Sequence, residues 1–334
     1  MDILITAVST LINIPFKIHQ WIHDTFFTLD MSKKAPIFVT GCDSGFGHLL
    51  VIKLIQNGIN TFAGCFTEEG ENELRKLAGR GPGKLWTVRL DVTDQASVGN
   101  ALQFVKKTLG PGKGLWGLVN NAGVIATPAP DAWLNVDHYQ SAMDVNFLGV
   151  VRVTQAFRPL IIAERGRIVN VTSIFGRLAP VTCGPYCASK YAAEAYCDVI
   201  RRELAPFGVS VHILEPGFFA TNLTKPSSII RIMSGLWETL PTEVKDLYGE
   251  EFLRQSCSSL QTNLPPLCNT NLSLVVDAYY DALTSTCPFL RYYCGLDAKL
   301  FYIPLSMLPG RVQDWILHVF LKLSGAPTPK ATVK

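Results

Sequence analysis

The chain has 334 residues, 48% hydrophobic and 17% charged, with a formal net charge of +3. That apolar content suits one large α/β domain with appendages, or at most two domains. The small net charge, without a long basic block, excludes a nucleic-acid-binding class. The nine cysteines are odd in number, and Cys65, Cys183, Cys187 and Cys197 fall on predicted helices or strands or at their ends, which excludes a disulfide framework.

Residues 1–30 are unusual. Met1 to Phe16 carries Asp2 as its only charge, and Pro15 interrupts its end. The run is shorter than the ~20 residues a spanning helix prefers. It lacks the basic leading region and small-residue cleavage site of a removed signal peptide. Lys17, His19, Trp21, His23, Phe26 and Phe27 follow. Apolar sequence joined to an aromatic and basic edge suits a segment anchored in, or lying on, a membrane. The competing account is a helix packed on the protein's own surface. His19 and His23 share a helix face, but no third ligand lies nearby, and no metal is expected.

Met31 to Pro36 reads as a linker. Ile37–Thr40 is a short β-rich run entering Gly41-Cys42-Asp43-Ser44-Gly45-Phe46-Gly47, with a helical pattern through Gln56. Strand, glycine turn, helix is the setting of a dinucleotide fingerprint. Glycines let the backbone approach a pyrophosphate, and a helix N-terminus offers it free N–H groups. A second strand runs from Asn60 to Phe66. An Asp or Glu at such a strand end binds a ribose 2′-hydroxyl, whereas an Arg accepts a 2′-phosphate. Here Cys65, Phe66 and Thr67 stand instead. Asp43, Glu68 and Glu69 would repel a 2′-phosphate and Ser44 is not basic, so NAD is favoured and NADP is the alternative.

Leu85 to Leu90 is the third strand, ending in Asp91-Val92. Asp91 meets an adenine edge or caps a helix beginning near Asp94 and running to Leu109. Leu115 to Val119 is the fourth strand, closed by Asn120-Asn121-Ala122-Gly123. Two amides beside a glycine fix backbone, touch a ribose, or make a plain turn. A helix from about Asp137 to Leu160 carries Asn146 between Val145 and Phe147, where an amide needs hydrogen-bond partners.

Arg167 to Thr172 is an apolar fifth strand. It leads into Ser173, and then into Tyr186 and Lys190 on a helix to about Phe207 with Pro185 at its start. A hydroxyl therefore sits at a strand end, where α/β sheets place ligands, and Tyr186 and Lys190 share a helix face. A free phenol, with a pKa near ~10, is a poor base at neutral pH. A neighbouring ammonium favours the phenolate, and Tyr186 could then exchange a proton with an alcohol or carbonyl that Ser173 holds.

The sixth strand, Val209 to Leu214, ends in Glu215-Pro216-Gly217-Phe218-Phe219-Ala220-Thr221, a turn able to lie over a nicotinamide with Thr221 reaching its carboxamide. Residues 222–270 form an insertion with apolar bulk (Ile229, Ile230, Ile232, Met233, Leu236, Trp237), suited to a lid over a greasy substrate. A helix from Leu272 to Leu283 and a strand near Arg291 to Cys294 complete the sheet. Phe301 to Leu308 and Trp315 to Leu323 form an apolar tail, either a membrane-contacting surface or a capping helix. The expected organisation is a membrane-associating segment at 1–30, a dinucleotide-binding catalytic domain at 34–300 and an apolar tail at 301–334.

Together these residues resemble the short-chain dehydrogenase/reductase family, from about Lys34 to Thr221. The match rests on Thr40-Gly41 with Gly45 and Gly47, on Asn120-Asn121-Ala122-Gly123, and on Asn146. It continues through Ser173 thirteen before Tyr186, Lys190 four after, and Pro216-Gly217. Gly41–Gly47, Gly114–Val119, Arg201–Leu204 and Asp297–Leu300 further resemble its retinol dehydrogenase and 17-beta-hydroxysteroid dehydrogenase branch. The resemblance implies an α/β, doubly wound, Rossmann-like parallel sheet. It implies a catalytic tetrad of Asn146, Ser173, Tyr186 and Lys190, with Asn146 anchoring a proton-relay water. The same resemblance implies cofactor contacts from Thr40, Gly41, Ser44, Gly45, Phe46, Gly47, Asp91, Val92, Asn120, Ala122, Gly123, Tyr186, Lys190, Pro216, Gly217 and Thr221. It further implies a hydrophobic alcohol or carbonyl substrate, a homodimer or tetramer, and association with the endoplasmic reticulum membrane. The alternatives are an NADPH-dependent carbonyl reductase and a nucleotide-binding membrane protein without turnover.

Overall fold

The computed structural model describes residues 28–332 apart from 79 and 80. The expected membrane segment, with Trp21 and its histidines, lies outside the described residues but for its last three positions.

Strand β1 (Ile37–Thr40) leads through a glycine turn into helix α1 (Gly45–Gln56), then β2 (Thr61–Cys65), α2 (Glu68–Ala78), β3 (Leu85–Arg89) and α3 (Gln95–Leu109). Next come β4 (Gly117–Asn120), α4 (Val136–Met143), α5 (Gly149–Ala163), β5 (Arg167–Val171), α6 (Gly184–Leu204) and β6 (Ser210–Pro216). Three helices come after it, α7 (Pro226–Thr239), α8 (Thr242–Tyr248) and α9 (Glu250–Leu267), and then α10 (Ser273–Thr284), β7 (Arg291–Cys294), α11 (Ile303–Ser306) and α12 (Gly310–Leu323).

The seven strands form one parallel sheet in the order β3-β2-β1-β4-β5-β6-β7. The order reverses direction between β1 and β4, so the carboxyl ends of those strands open a crevice there. Both faces are covered, which is why the central strands are apolar throughout rather than alternating. Ile37 and Val39 of β1 pack with α1 and α10 on one face, while Phe38 meets α3, α5 and α6 on the other. Leu118 and Val119, and Ile168 and Val169, divide in the same way.

One element differs from its sequence reading in a way that matters. The single helix expected from Asp137 to Leu160 is interrupted by a π-helical turn at Asp144–Leu148. Such a turn inserts one residue into the i→i−4 ladder and rotates the remainder of the helix. Here Asn146 occupies it and is buried.

Candidate active site

The glycine turn is held from behind. Gly41 and Gly45 have φ of +67° and +64°, a left-handed backbone that favours glycine. A Cβ on Gly47 would collide with the Asn121 amide and the Gly41 carbonyl. Asn121 donates from Nδ2 to the carbonyls of Thr40 (3.0 Å) and Gly41 (2.9 Å), and its Oδ1 accepts from the Tyr279 hydroxyl at 3.0 Å. The Thr40 hydroxyl accepts the backbone N–H groups of Asn121 and Ala122, both at 3.0 Å. Of the two neighbouring amides, Asn121 alone serves this turn. The Asn120 side chain faces inward, donating to Thr154 Oγ1 (2.9 Å) and Asn170 Oδ1 (2.7 Å).

Ser44 stands at the N-cap of α1 but makes no capping bond to the helix. Free N–H groups therefore point into the turn, where a pyrophosphate fits. Asn222 Nδ2 reaches Ser44 Oγ at 3.2 Å, and Phe46 meets Phe219 edge-on at 5.5 Å, so the segment after β6 closes over the glycines. Thr221 caps the short 3₁₀ turn Asn222–Thr224 and is half-buried.

At the β2 end the Asp43 carboxylate accepts the backbone N–H groups of Phe66 (2.8 Å) and Thr67 (2.6 Å) and the Thr67 hydroxyl (2.7 Å). Cys65 is buried beneath, its thiol pushed up to about 12 by burial and then by Asp43. A cleft of roughly 670 Å³ opens here, with Phe66, Glu68, Arg75, Arg89 and Asp91 among its walls. Asp91 lines that cleft while holding Thr93 through its N–H (2.8 Å) and hydroxyl (2.7 Å); the helix cap itself is Asp94. Val92, Thr40 and Ala122 border a smaller hollow beside it.

Asn146, Ser173, Tyr186 and Lys190 converge at the carboxyl ends of β4 and β5. Asn146 clasps Val124, accepting its N–H at 2.8 Å and donating to its carbonyl at 2.9 Å, and also donates to Ser189 Oγ at 3.0 Å. Gly123 leaves room between them: a Cβ there would lie 3.2 Å from Asn146 Oδ1 and 3.7 Å from Lys190 Nζ. Lys190 is buried, donates to the Val171 carbonyl at 3.2 Å, and lies 5.6 Å from the centre of the Tyr186 ring. Ser173 accepts the Phe175 N–H at 3.1 Å, and its hydroxyl acts to lower the pKa of the Tyr186 phenol.

The electrostatics correct one expectation. Lys190 does not draw the phenol below its ordinary range in the protein alone. Burial pushes Tyr186 up to about 12, with the Ser173 hydroxyl opposing it. Burial pulls the Lys190 ammonium down to about 8, opposed by the Glu194 carboxylate. Both groups lean towards their neutral forms, as low-dielectric surroundings require.

Beyond β6, Gly217 passes close against Asp297, whose carboxylate accepts the Phe218 N–H at 2.8 Å. Phe218, Phe175 and Tyr302 pack edge to face or tilted, and Phe175 reaches the Tyr186 ring at 6.4 Å. A second aromatic cluster joins Trp133 to Trp237 (5.1 Å), Tyr248 (5.4 Å) and Phe252 (5.8 Å) from α7, α8 and α9. Of the roles the sequence left open for the two amides, Asn121 takes the one of fixing backbone. No signal in the sequence places Asn222 against the Ser44 hydroxyl or Asp297 under the Phe218 N–H, because both partners are distant in the chain.

A parallel sheet with a glycine turn beside a buried Tyr–Lys pair defines a nucleotide-dependent oxidoreductase. The short chain dehydrogenase family matches residues 35–229. The chain is 43% identical to the 3beta-hydroxysteroid dehydrogenase dhs-16 of Caenorhabditis elegans, covering 99% of this chain and 86% of that protein. It is 44% identical to the human 17-beta-hydroxysteroid dehydrogenase type 6 and to the rat retinol dehydrogenase 7, each over 84% of this chain and 87% of the relative. A short chain dehydrogenase of Burkholderia cenocepacia, solved with NADP, shares the fold. Its TM-score is 0.61 at 23% identity, over 86% of this chain and 98% of that one. The chain belongs to the short-chain dehydrogenase family, and is an oxidoreductase that works with a nicotinamide dinucleotide.

Proposed function

We propose that the chain interconverts a hydrophobic secondary or allylic alcohol and its carbonyl, of the hydroxysteroid or retinoid class, with NAD(H). The observation that carries this reading is the meeting of Ser173, Tyr186 and Lys190 under an aromatic wall of Phe175, Phe218 and Tyr302. The names of the relatives point to the same substrates.

The residues present fit the dinucleotide. The turn from Gly41 to Gly47 and the uncapped start of α1 would hold its pyrophosphate; Asp91, Val92 and Ala122 its adenosine half; Gly123, Lys190, Pro216, Gly217 and Thr221 its nicotinamide half. When bound, it supplies or accepts the hydride at the substrate carbon. Ser173 holds the substrate oxygen by a hydrogen bond. Tyr186 takes the alcohol proton on oxidation and returns it on reduction. The Lys190 ammonium favours the phenolate, together with the positive charge of the oxidised nicotinamide, against the burial that raises the phenol. Asn146 fixes the Val124 backbone and, in this reading, anchors a relay water. The helices of 222–270 act as an apolar cover through Met233, Trp237 and Phe252, excluding water from the reacting atoms. The protein works at a membrane surface, that of the endoplasmic reticulum, as a homodimer.

NAD is favoured because the Asp43 carboxylate stands at the ribose corner. Arg89, on the wall of the same cleft, favours the rival reading of an NADPH-dependent reductase. Retinoids, steroids and small hydroxyacids, assayed with both dinucleotides on membrane fractions, decide between these readings. Tyr186→Phe should bind dinucleotide normally, with kcat lowered by at least ~10³-fold. Full turnover by that variant would remove the acid/base assignment.

A further inference from the structure

Three consecutive residues at the end of β5 each meet a different residue of α6. The Val171 carbonyl accepts from Lys190 at 3.2 Å, the Thr172 hydroxyl bonds Glu194, and the Ser173 hydroxyl neighbours the Tyr186 phenol and acts to lower its pKa. Tyr186, Lys190 and Glu194 are spaced one helical turn apart, so one stripe of the helix meets one strand end. The approach is close because Gly176 lies between. A Cβ there would come within 2.9 Å of Glu194 Cγ and 3.1 Å of the Lys190 carbonyl oxygen.

Glu194 is buried and is not alone. Arg291 Nη1, from β7, bonds Glu194 and also Glu215 Oε1 at 2.5 Å. Glu215, at the end of β6, is fully buried, and its Oε2 has no hydrogen-bond partner. Arg177 stands 3.5 Å from Glu215, and Arg291 Nη2 reaches Asp198 at 3.0 Å, which also meets Arg201 at 3.3 Å. The titratable groups facing Lys190 are Tyr186, Glu194 and Cys197 on its own helix; behind Glu194 stand Asp198 and Arg201 on that helix, Arg177 after β5, Glu215 on β6 and Arg291 on β7. Two buried carboxylates converge on one guanidinium nitrogen, an arrangement costly to assemble if folding were its only use.

We propose that Glu194 is a positioning residue for catalysis, keeping Lys190 charged and tethering the strand end that carries Ser173, while Arg291, shared with Glu215, fixes Glu194 in place. The proposal rests on the acid/base reading of Tyr186 above. Burial disfavours the Lys190 ammonium, and Glu194 is the main opposing influence. Glu194 reaches Tyr186 through Lys190 and the strand end rather than by contact. Burial and the neighbouring Glu194 raise the Glu215 carboxyl above the usual carboxylate range, which leaves Arg291 the more free to serve Glu194.

The test is the pH dependence of kcat for alcohol oxidation by the full-length protein with its best steroid or retinoid substrate. Glu194→Gln preserves shape and a hydrogen bond to Thr172 but removes the charge. The alkaline limb of the profile, where Lys190 loses its proton, should move down by about one unit, a roughly tenfold loss on that limb. Glu194→Asp should restore the limb. Thr172→Val keeps the charge and removes the tether, so kcat should fall by one factor at every pH with the limb unmoved. An unmoved limb in folded Glu194→Gln overturns the proposal. Should that variant fail to fold, a displaced limb in Thr172→Val overturns it equally. Neither result touches the acid/base reading, which fails only if Tyr186→Phe keeps its turnover.

Discussion

Asn121 shows what a single side chain contributes at the glycine turn proposed to hold the dinucleotide. Its amide ties the end of β1 to the end of β4, and Tyr279 on α10 locks the amide's orientation. Asn121→Ala would leave two carbonyls and a buried hydroxyl without these partners, a loss of about 1–3 kcal/mol in stability. The same change frees Gly41 to drift, so the dinucleotide KM should rise on the order of tenfold. Thermal melting with a dinucleotide titration checks both; an unchanged KM would detach Asn121 from the turn. The nearness of Tyr186 and Lys190, in contrast, was legible in the sequence, while their catalytic roles stay with the proposal above. A phenol and an amine four apart share a helix face on any helix; the resemblance to the short-chain dehydrogenase motifs is what singled these two out together with Ser173 and Asn146. Asn121 stands beside Asn120 with the same side chain, and only the inward turn of Asn120 towards Thr154 and Asn170 separates their roles.

The seven strands and the helices α1, α3, α6 and α10 were also legible, because buried parallel strands are apolar runs and their helices begin and end on recognisable residues, whereas the three helices of 222–270 read in the sequence only as an apolar insertion. The π-helical turn at Asn146 was not. Its cause lies in tertiary contacts with Val124 and Ser189, and the apolar periodicity passes through it. β6 carries a titration that the sequence also hid. His212 is buried, with Nδ1 2.7 Å from the Phe289 carbonyl and Nε2 2.8 Å from Ser210 Oγ. Burial pulls its pKa down to about 4, below the ordinary 6.5. A depressed folded pKa means the unfolded chain takes up the proton first as pH falls. The stability from neutral His212 is thus fully present above about 6.5 and is lost as pH falls towards 4, an effect of about 2–3 kcal/mol. In chemical denaturation, His212→Gln should flatten the stability curve across that window. A slope identical to that of the unaltered protein would show that another group carries it.

At the scale of the whole molecule the question is how a greasy substrate reaches Tyr186. Among the described residues one helix, Val136–Ala163, is long and apolar enough to cross a membrane. It is a core element, burying Val153, Phe157 and Ile161 against the sheet. The C-terminal tail is different. No residue of α12 is fully buried; Asn263 reaches Ser324 at 3.3 Å, and Phe320 lies 6.2 Å from Phe301. The outward side carries Trp315 (66% exposed) and Leu323 (82%), continuing the exposed Leu300 (75%) and Met307 (67%). Tyr302, next to Phe301, joins this surface to the aromatic wall at Phe175 and Phe218. Apolar side chains interleaved with Arg311, His318 and Lys322 suit the interface of a bilayer. If the tail lies there, the aromatic wall faces lipid and the substrate enters from it. Met307→Ser, Trp315→Ser and Leu323→Ser combined would withdraw about 2–4 kcal/mol of interfacial burial. In the full-length chain, binding to phosphatidylcholine vesicles should then weaken by at least tenfold in cosedimentation. Turnover of a water-soluble alcohol should hold steady, and turnover of a vesicle-borne steroid or retinoid should fall with binding. Equal vesicle binding by the triple variant would assign membrane attachment to residues 1–30 alone.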